Sequence, residues 1–220
     1  MVSPRLVFIS SIFITCLITS NIIAVKIIKL GPLSLPAAII IFPVSYIFGD
    51  VLTEVYGYSW ARRIIWLGFF SNLIAVLAIW IAGLLPPHPE WKFQEEYEKI
   101  LGFTPRLLFA SFLGYLLGEF SNSFTLAKMK ILTKGRFLFS RTIGSTIIGQ
   151  ALDTFTFLLV AFTGVIPLGL ILRTALYHWL FKVLYETLAT PLTYMVVNSL
   201  KKKEGVDAYD YKTDFNPLRF

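Results

Sequence analysis

Long stretches of hydrophobic residues dominate the pattern of this chain. The stretches 6–25 and 64–85 contain no charged residue at all. About 20 consecutive apolar residues are needed for a helix to span the hydrocarbon core of a bilayer. The same pattern along the whole chain predicts six membrane-spanning helices, at 6–26, 34–56, 63–85, 106–127, 142–163 and 174–198. The predicted fold class is an all-α integral membrane protein with six transmembrane helices.

Three segments are expected to depart from simple spanning helices. The second helix, 34–56, contains Pro36 and Pro43, and a broken helix at membrane depth is tolerated only against protein or a wet cavity. The apolar segment 165–172 is expected to lie in the interface or to re-enter the membrane. The segment 91–101 has the pattern of a short amphipathic helix resting at the membrane surface.

Composition and charge agree with a membrane protein and give it an orientation. The chain has 220 residues, of which 56% are hydrophobic and 15% charged, whereas soluble domains have about 25% charged residues. If both termini are cytoplasmic, the inner segments hold eleven Lys and Arg residues and the outer segments six, as the positive-inside rule requires. We therefore predict a multi-pass protein of the cytoplasmic membrane, with a transmembrane domain at 1–200 and a polar cytoplasmic tail at 201–220. The net charge of +7 needs no nucleic-acid partner, because no basic stripe is interleaved with aromatic residues.

The motifs of common enzymes are missing from the sequence. It has no HExxH zinc motif, no GxxxxGK[ST] phosphate loop and no GxSxG nucleophile elbow. Its single cysteine, Cys16, has no partner in the chain for a disulfide. We expect no enzymatic activity, no catalytic residues, no cofactor, no metal site and no ATP hydrolysis by the chain itself.

Polar side chains inside the predicted helices are the candidate functional residues. They are Asp50, Glu54, Glu119, Asn122, Gln150, Asp153, Lys182 and Glu186. A charge at the membrane centre costs about 2.5–3.5 kcal/mol, so pairing, protonation or a wet cavity must offset it. Residues three or four apart share one face of a helix, so four of the helices each carry one polar stripe. If these stripes all point inward, they build one central polar pocket.

Each stripe taken alone also has a structural explanation. Lys182 and Glu186 are spaced as an ion pair within one helix, Asp50 and Glu54 are close enough to a helix end to face water, and the other two stripes can form internal hydrogen bonds. A solute site explains all four stripes together better. Five acids also face a single base, Lys182, so some acids must be protonated or meet donors on a ligand.

Two helix faces carry small residues at every fourth position. They are Ser11, Thr15 and Thr19 on the first helix, and Ala110, Gly114 and Gly118 on the fourth. Such faces allow helices to approach closely. The contact is either packing within the chain or docking of another subunit, and a homo-oligomer is left open.

Several long stretches of the sequence resemble a known family. They are FPVSYIFGDVLTEVYGYSWARR (42–63), GEFSNSFTLAKMK (118–130), RTIGSTIIGQALDT (141–154), KVLYETLATPLTYMVVN (182–198) and YDYKTDFNP (209–217). In these stretches the chain is similar to the vitamin uptake transporter family of queuosine precursor transporters. The loop after Pro86 and the apolar stretch before Arg173 match least.

The resemblance implies a fold and a function. The fold is six helices, similar to the substrate-binding components of energy-coupling-factor transporters. The function is import of 7-cyano-7-deazaguanine, 7-aminomethyl-7-deazaguanine or queuine without an ATPase module. The alternatives are a binding subunit that needs a separate ATP-driven module, and a membrane enzyme. Which precursor is imported, and whether an ion is coupled to it, stay open.

The matching stretches contain the polar stripes, which suggests working roles for their residues. The N1–H and amino groups of the solute are assigned to Glu119 or Asp153, because a carboxylate accepts two parallel N–H bonds well. The remaining edges of the solute are assigned to Asn122 and Gln150. Access control or proton transfer is assigned to the rest of the set: Asp50, Glu54, Lys182 and Glu186.

Overall fold

A computed structural model describes residues 3–30, 33–102 and 105–219 of the chain. The predicted outer loop 86–105 and the predicted tail 201–220 therefore each contain positions outside the described residues, namely Phe103, Thr104 and Phe220.

The described residues form seven α-helices, one 3-10 helix and two antiparallel β-strands. In chain order they are α1 (Pro4–Ile23), β1 (Ile27–Leu30), β2 (Leu33–Pro36), the 3-10 helix (Ala37–Ile40), α2 (Phe42–Tyr56), α3 (Tyr58–Leu84), α4 (Gln94–Leu101), α5 (Pro105–Leu132), α6 (Leu138–Phe162) and α7 (Leu168–Glu204). The short α4 falls within the predicted amphipathic segment 91–101. The other six helices correspond to the six predicted ones, so the all-α class is confirmed.

Four stretches of the described chain are long and apolar enough to cross a membrane. They are Pro4–Ile23, Tyr58–Leu84, Leu138–Phe162 and Gln94–Leu132, the last of which takes in α4, α5 and the two undescribed residues between them. α7 has 37 residues, or about 55 Å of helix at 1.5 Å per residue, which exceeds the roughly 30 Å hydrocarbon core. α2 has only 15 residues, preceded directly by the 3-10 helix.

The outer surface of the bundle is apolar, as a lipid-facing surface must be. On α7 every fourth residue is an exposed leucine: Leu176, Leu180, Leu184, Leu188 and Leu192. The opposite face of the same helix buries Glu186, Thr190 and Thr193. A soluble monomer rarely exposes so long an apolar stripe. This pattern, with apolar side chains outside and polar side chains inside, identifies an all-α multi-pass membrane protein.

Glycines bring α5 and α6 into close contact. A Cβ atom built on Gly118 would lie 2.7 Å from the Asp153 Cβ, and one on Gly149 would lie 2.7 Å from the Asn122 Cβ. Neither position has room for a side chain, so the small-residue face on the fourth predicted helix serves packing within the chain. This packing places Asp153 level with Gly118 and Asn122 level with Gly149, one helical turn away.

The small-residue face on α1 has a different setting. Ser11 and Thr15 are exposed, whereas Thr19 is half-buried. The hydroxyl of Ser11 donates to the Val7 carbonyl at 2.9 Å, and that of Thr15 donates to the Ser11 carbonyl at 2.8 Å. Both hydroxyl donors are therefore satisfied within the helix and can face lipid without another subunit.

The second predicted helix begins later than expected. Residues 33–36 form β2, which pairs antiparallel with β1 in a register that sets Lys29 opposite Ser34. Pro36 is extended, with φ −65° and ψ 143°, because proline fixes φ and has no N–H for a helix. α2 starts only at Phe42, with a proline in its first turn, where the missing N–H has no cost.

The last helix begins earlier than predicted. The segment 165–172 was expected to lie in the interface or to re-enter, which stays a prediction, and α7 begins within it at Leu168, directly after Pro167. Proline is tolerated at the start of a helix because the first N–H groups have no partner within it. The apolar segment is therefore mostly the first part of the last helix.

The predicted polar tail packs against the bundle instead of extending from it. α7 ends at Glu204, and Gly205 takes a left-handed conformation with φ 65°. The Ala208 amide then donates to the Val55 carbonyl at 3.1 Å. Gly57, the single residue between α2 and α3, has φ 85°, and a Cβ there would lie 3.1 Å from the Ala208 Cβ. Glycine at position 57 thus permits both the sharp turn and the close approach of the tail.

Further along, the tail lies over the start of α3. The Tyr58 amide donates to Asp210 Oδ2 at 3.0 Å. Arg62 Nη1 donates to the carbonyls of Asp214 and Asn216, at 2.8 and 2.7 Å. These contacts fasten the tail to one end of the bundle.

The start of α1 and the end of α7 also lie at that same end. Arg5 Nη1, near the start of α1, is 3.0 Å from Glu204 Oε1 at the end of α7. The predicted even number of crossings requires both termini on one side, and this contact agrees with it.

Candidate functional site

Polar residues from four helices meet inside the bundle and form what we call the central cluster. Its members are Asp50 of α2, Glu119 and Asn122 of α5, Gln150 and Asp153 of α6, and Lys182 and Glu186 of α7. All except Lys182 are at most 9% exposed. Seven of the eight candidate residues are thus brought together, in a site closed to solvent.

α2 and α5 meet through an amide and a carboxyl group. Asn122 Nδ2 donates to Asp50 Oδ1 at 2.7 Å. Glu119 Oε2 lies against α2, 3.2 Å from where a Cβ on Gly49 would be. Sequence spacing had suggested a bond between Glu119 and Asn122; the side-chain partner of Asn122 is instead Asp50, 72 residues away.

α6 and α7 meet through an ion pair. Lys182 Nζ donates to Asp153 Oδ2 at 2.8 Å and to Thr154 Oγ1 at 3.0 Å. The prediction that Lys182 forms an ion pair with an acid is confirmed. The prediction that this acid is Glu186 is wrong. Asp153 is the acid found, because α6 and α7 pack side by side and the lysine side chain reaches across. Glu186 is itself buried, at 3% exposure.

The carboxyl groups of the central cluster influence one another. Glu119 interacts electrostatically with both Asp50 and Asp153, and Glu186 interacts with Asp50 and Glu119. With Lys182 included, the cluster as defined contains four acids and one base. This is a marked excess of acid in a buried site.

Four hydrogen-bond acceptors in the cluster are buried without a partner. They are Asp50 Oδ2, Glu119 Oε2, Asn122 Oδ1 and Gln150 Oε1. Each buried unsatisfied polar group costs about 1–3 kcal/mol. Phe13 and Tyr46 bring aromatic rings to the same region: Phe13 lies 3.8 Å from a Cβ built on Gly49, and the Tyr46 hydroxyl 3.1 Å from one on Gly118. The arrangement is suited to a flat ligand that presents several N–H donors.

Glu54 belongs to a second group of charges, which we call the tail-end cluster. Its members are Glu54, Lys130, Arg141, Lys201 and Asp207. Glu54 Oε1 lies 2.8 Å from Arg141 Nη2, 2.7 Å from Lys201 Nζ and 3.5 Å from Lys130 Nζ. Asp207 Oδ1 bridges the two lysines, at 2.5 Å from Lys130 and 2.8 Å from Lys201.

The tail-end cluster corrects the charge count made from the sequence. Glu54 is neutralised by three bases rather than facing water or sharing Lys182. The predicted helix ends left Lys130 and Arg141 in a loop. In the structure α5 and α6 each extend further than predicted and include these two residues. Helical spacing was a signal that Lys130 could be buried, because Lys130 lies seven residues after the buried Ser123, on the same face of α5.

The tail adds the acid that completes this cluster. Burial opposes ionisation of Asp207, but hydrogen bonds from Lys130 and Lys201 outweigh it and hold its pKa below the usual range. The ionised tail residue thus links α5 to the end of α7.

A metal centre has no structural support in the described chain. Among the residues described, no group of three His, Cys, Asp or Glu side chains is placed to hold a metal ion.

Comparisons with known proteins identify the class. Residues 36–196 match the model of a family described as "Putative vitamin uptake transporter". The chain belongs to this family of membrane transporters. A curated relative, the "Probable queuosine precursor transporter" of Bacillus subtilis (strain 168), is 28% identical over 188 residues, which cover 85% of this chain and 82% of the relative.

No solved structure matches the chain. The similarity to the substrate-binding components of energy-coupling-factor transporters therefore stays an expectation from the sequence.

Proposed function

We propose that this protein imports a 7-deazaguanine precursor of queuosine across the cytoplasmic membrane, through the central cluster and without its own ATPase. The name of the Bacillus subtilis relative supports the solute class. The observation that carries the proposal is the set of buried, unpartnered acceptors in the central cluster.

The hydrogen-bonding edge of the solute fits these acceptors. A 7-deazaguanine presents N1–H and a 2-amino group side by side, with a pyrrole N–H on the opposite side of the ring. Glu119 is the better acceptor for the first pair, because Asp153 is engaged by Lys182. The oxygens of Asn122 and Gln150 are then available for the other donors.

Access to the site requires movement of the helices. Most of the central cluster is buried, and the tail-end cluster closes the end nearest the tail with ion pairs. Glu54 is one turn of α2 away from Asp50, about 6 Å along the helix axis. We assign Glu54 to closing this end, and Asp50, Glu186 and the Asp153–Lys182 pair to access control or proton transfer.

The proposed topology has six crossings with both termini in the cytoplasm. Its supports are the excess of Lys and Arg in the inner segments and the Arg5–Glu204 contact. The bases of the tail-end cluster then lie on the cytoplasmic side, where such residues gather in membrane proteins.

A binding subunit that depends on an ATP-driven partner is the alternative within transport. The exposed Ser11 and Thr15 of α1 would be its docking face. Because both hydroxyls are already satisfied by carbonyls of α1, that face requires no partner, and we favour autonomous transport.

Uptake in cells tests the proposal. A strain that cannot synthesise queuosine precursors is supplied with labelled precursor and this protein, and queuosine in its tRNA is measured. We expect the wild type to restore queuosine and Glu119→Gln to reduce it strongly. Glu96→Gln, the same change on the exposed face of α4, is the matched control. If the wild type restores nothing although it reaches the membrane, the proposed function is wrong.

A further inference from the structure

The start of α3 receives a hydrogen-bond acceptor from the tail. The first N–H groups of a helix have no partner within it, and Gly57, which precedes α3, has no side chain to accept from them. Asp210 of the tail takes this part, because its Oδ2 accepts from the Tyr58 amide at 3.0 Å. The Ala208 amide donates to the carbonyl of Val55 near the end of α2. Backbone groups thus fasten the tail to the turn between α2 and α3.

The contacts of the tail with α5 and α7 are of another kind. Asp207 Oδ1 lies 2.5 Å from Lys130 Nζ of α5 and 2.8 Å from Lys201 Nζ of α7, and Lys130 also donates to the Ala208 carbonyl. The side chain of Asp207 is 43% exposed, whereas that of Glu54, the other acid of the tail-end cluster, is completely buried. A hydrated carboxylate loses its ion pairs at lower cost than a buried one. The ion pairs of Asp207 are therefore the ones that break first.

The joint between α7 and the tail lies in open space. Gly205, where α7 ends, has φ 65°, a conformation that glycine adopts without strain. A Cβ built on Gly205 would have no neighbouring heavy atom within 4 Å, and Val206 is exposed as well. Packing at the joint therefore does not fix the angle between α7 and the tail.

The tail-end cluster lies on the way from the central cluster to the end of the bundle nearest the tail. Asp50 and Glu54 are one turn apart on α2, and between them Thr53 Oγ1 donates to Ser123 Oγ of α5 at 3.1 Å. Alternating access moves one part of a transporter against the other around the solute site. A solute that leaves the central cluster toward the tail requires α5 and α7 to separate from α2 at this end, where Asp207 joins them.

We propose that residues 207–217 are a latch on the cytoplasmic side of the transport path, and that Asp207 is the contact that releases it. The structure has the latch closed, with Asp207 held by Lys130 and Lys201. When solute passes, Asp207 leaves both lysines, and the latch moves with α2 and α3, to which its backbone bonds fasten it. This inference rests on the proposed function and adds to it a moving segment outside the solute site.

Reversible links from the latch to two different helices test the inference. The ring of Phe215 packs 5.2 Å, between centroids, from that of Phe124 of α5, and the Pro217 carbonyl accepts from the Trp66 indole of α3 at 2.7 Å. One variant combines Phe124→Cys with Phe215→Cys, and the control combines Trp66→Cys with Pro217→Cys. Both also carry Cys16→Ala, and a short bifunctional thiol reagent joins each pair through disulfides that a reductant opens.

Uptake into proteoliposomes is measured before linking, after linking and after reduction, with labelled 7-cyano-7-deazaguanine and 7-aminomethyl-7-deazaguanine. Linking 124 to 215 holds the latch on α5, so we expect at least about a tenfold loss of rate that reduction reverses, because turnover stops when a gating step is blocked. Linking 66 to 217 holds the latch on α3, with which it moves, so the rate should stay within about twofold. An undiminished rate after the first link, or an equal loss after both, would overturn the inference.

A measurement on the wild-type protein covers the case in which a cysteine variant does not fold. The Lys130 side chain is 2% exposed and contacts Glu54 and Asp207, so an amine-acylating reagent reaches it once the latch opens. A short pulse of reagent is given in nanodiscs with and without the transported base. We expect acylation of Lys130 to rise at least about threefold with the base, because the solute shifts the population toward the open state. Acylation of Lys99, exposed on α4, should not change, and no rise at Lys130 would contradict the latch.

Failure of the latch and failure of the proposed function give different results. If the folded wild type takes up neither base, the proposed function fails and the inference fails with it. If the wild type takes up a base while the link between 124 and 215 leaves the rate unchanged, the transport function stands and the latch is wrong.

Discussion

Arg141 Nη2 lies 2.8 Å from Glu54 Oε1, and both side chains are almost completely buried. This pair joins α6 to α2, and Lys201 and Lys130 reach the same carboxylate from α7 and α5. One acid near the end of α2 therefore holds three other helices. Removing one partner of a buried ion pair leaves an uncompensated charge, whose cost is about 3–5 kcal/mol.

We expect Glu54→Gln to destabilise the protein more than Arg141→Gln. The first change leaves three bases without their shared acid, whereas the second leaves Glu54 with two lysines. Thermal unfolding in detergent gives the ranking, with Glu96→Gln as the exposed control. A midpoint for Glu54→Gln equal to that of the control would contradict the assigned role of this cluster.

The tail should detach from the bundle in acid but not near neutral pH. Because the pKa of Asp207 is lowered in the folded protein, its contribution is fully present above the unfolded value of about 3.9 and is lost as pH falls through the folded pKa. Hydrogen exchange of the Ala208 amide, which is bonded to Val55, reports on docking.

The matched variant for this experiment is Asp207→Asn, which cannot ionise. It should show faster Ala208 exchange at neutral pH and a weaker dependence on acid than the wild type. Loss of protection in the wild type near pH 6 to 7 would show that another group controls the tail.

The Asp153–Lys182 pair should behave as a coupled unit. Asp153→Asn and Lys182→Met should each lower the thermal midpoint more than the double variant does, because each single change leaves one buried charge unpaired. The double variant of Lys182→Met with Glu186→Gln is the comparison, and its effects should add. Additive effects for Asp153 and Lys182 would show that their contact contributes little.

Topology is tested by reporters fused after the last residue of the chain. The Arg5–Glu204 contact and the distribution of Lys and Arg predict a cytoplasmic signal. A reporter inserted next to Glu96, in the loop between α3 and α5, should give an external signal. The same location for both reporters would refute six crossings.

Much of the architecture could be predicted from the sequence, because membrane helices are long and uniformly apolar. The six long helices lie close to their predicted positions. The errors fell at their ends. α5 continues to Leu132 and α6 begins at Leu138, so bases assigned to a loop became buried partners of Glu54.

Partners across helices could not be predicted in the same way. Spacing along one helix shows which residues share a face, but not which helix packs against it. Asn122 binds Asp50 on α2, and Lys182 binds Asp153 on α6, although both had nearer candidates on their own helices. The docking of the tail could not be predicted either, because its polar composition does not show which residues of the bundle it contacts. In the structure these include Tyr58 and Arg62.

Transport by the purified protein in liposomes tests the central claim most directly. The proteoliposomes contain no other protein, and entry of a labelled 7-deazaguanine is followed with and without an imposed pH difference. We predict entry that responds to the pH difference, and at least about a tenfold loss of rate in Glu119→Gln but not in Glu96→Gln, because a hydrogen bond to a charged group contributes about 1.5–3 kcal/mol. Entry that ignores the pH difference would leave a facilitator without proton coupling. No entry until an ATPase module is added would contradict the account in favour of a binding subunit.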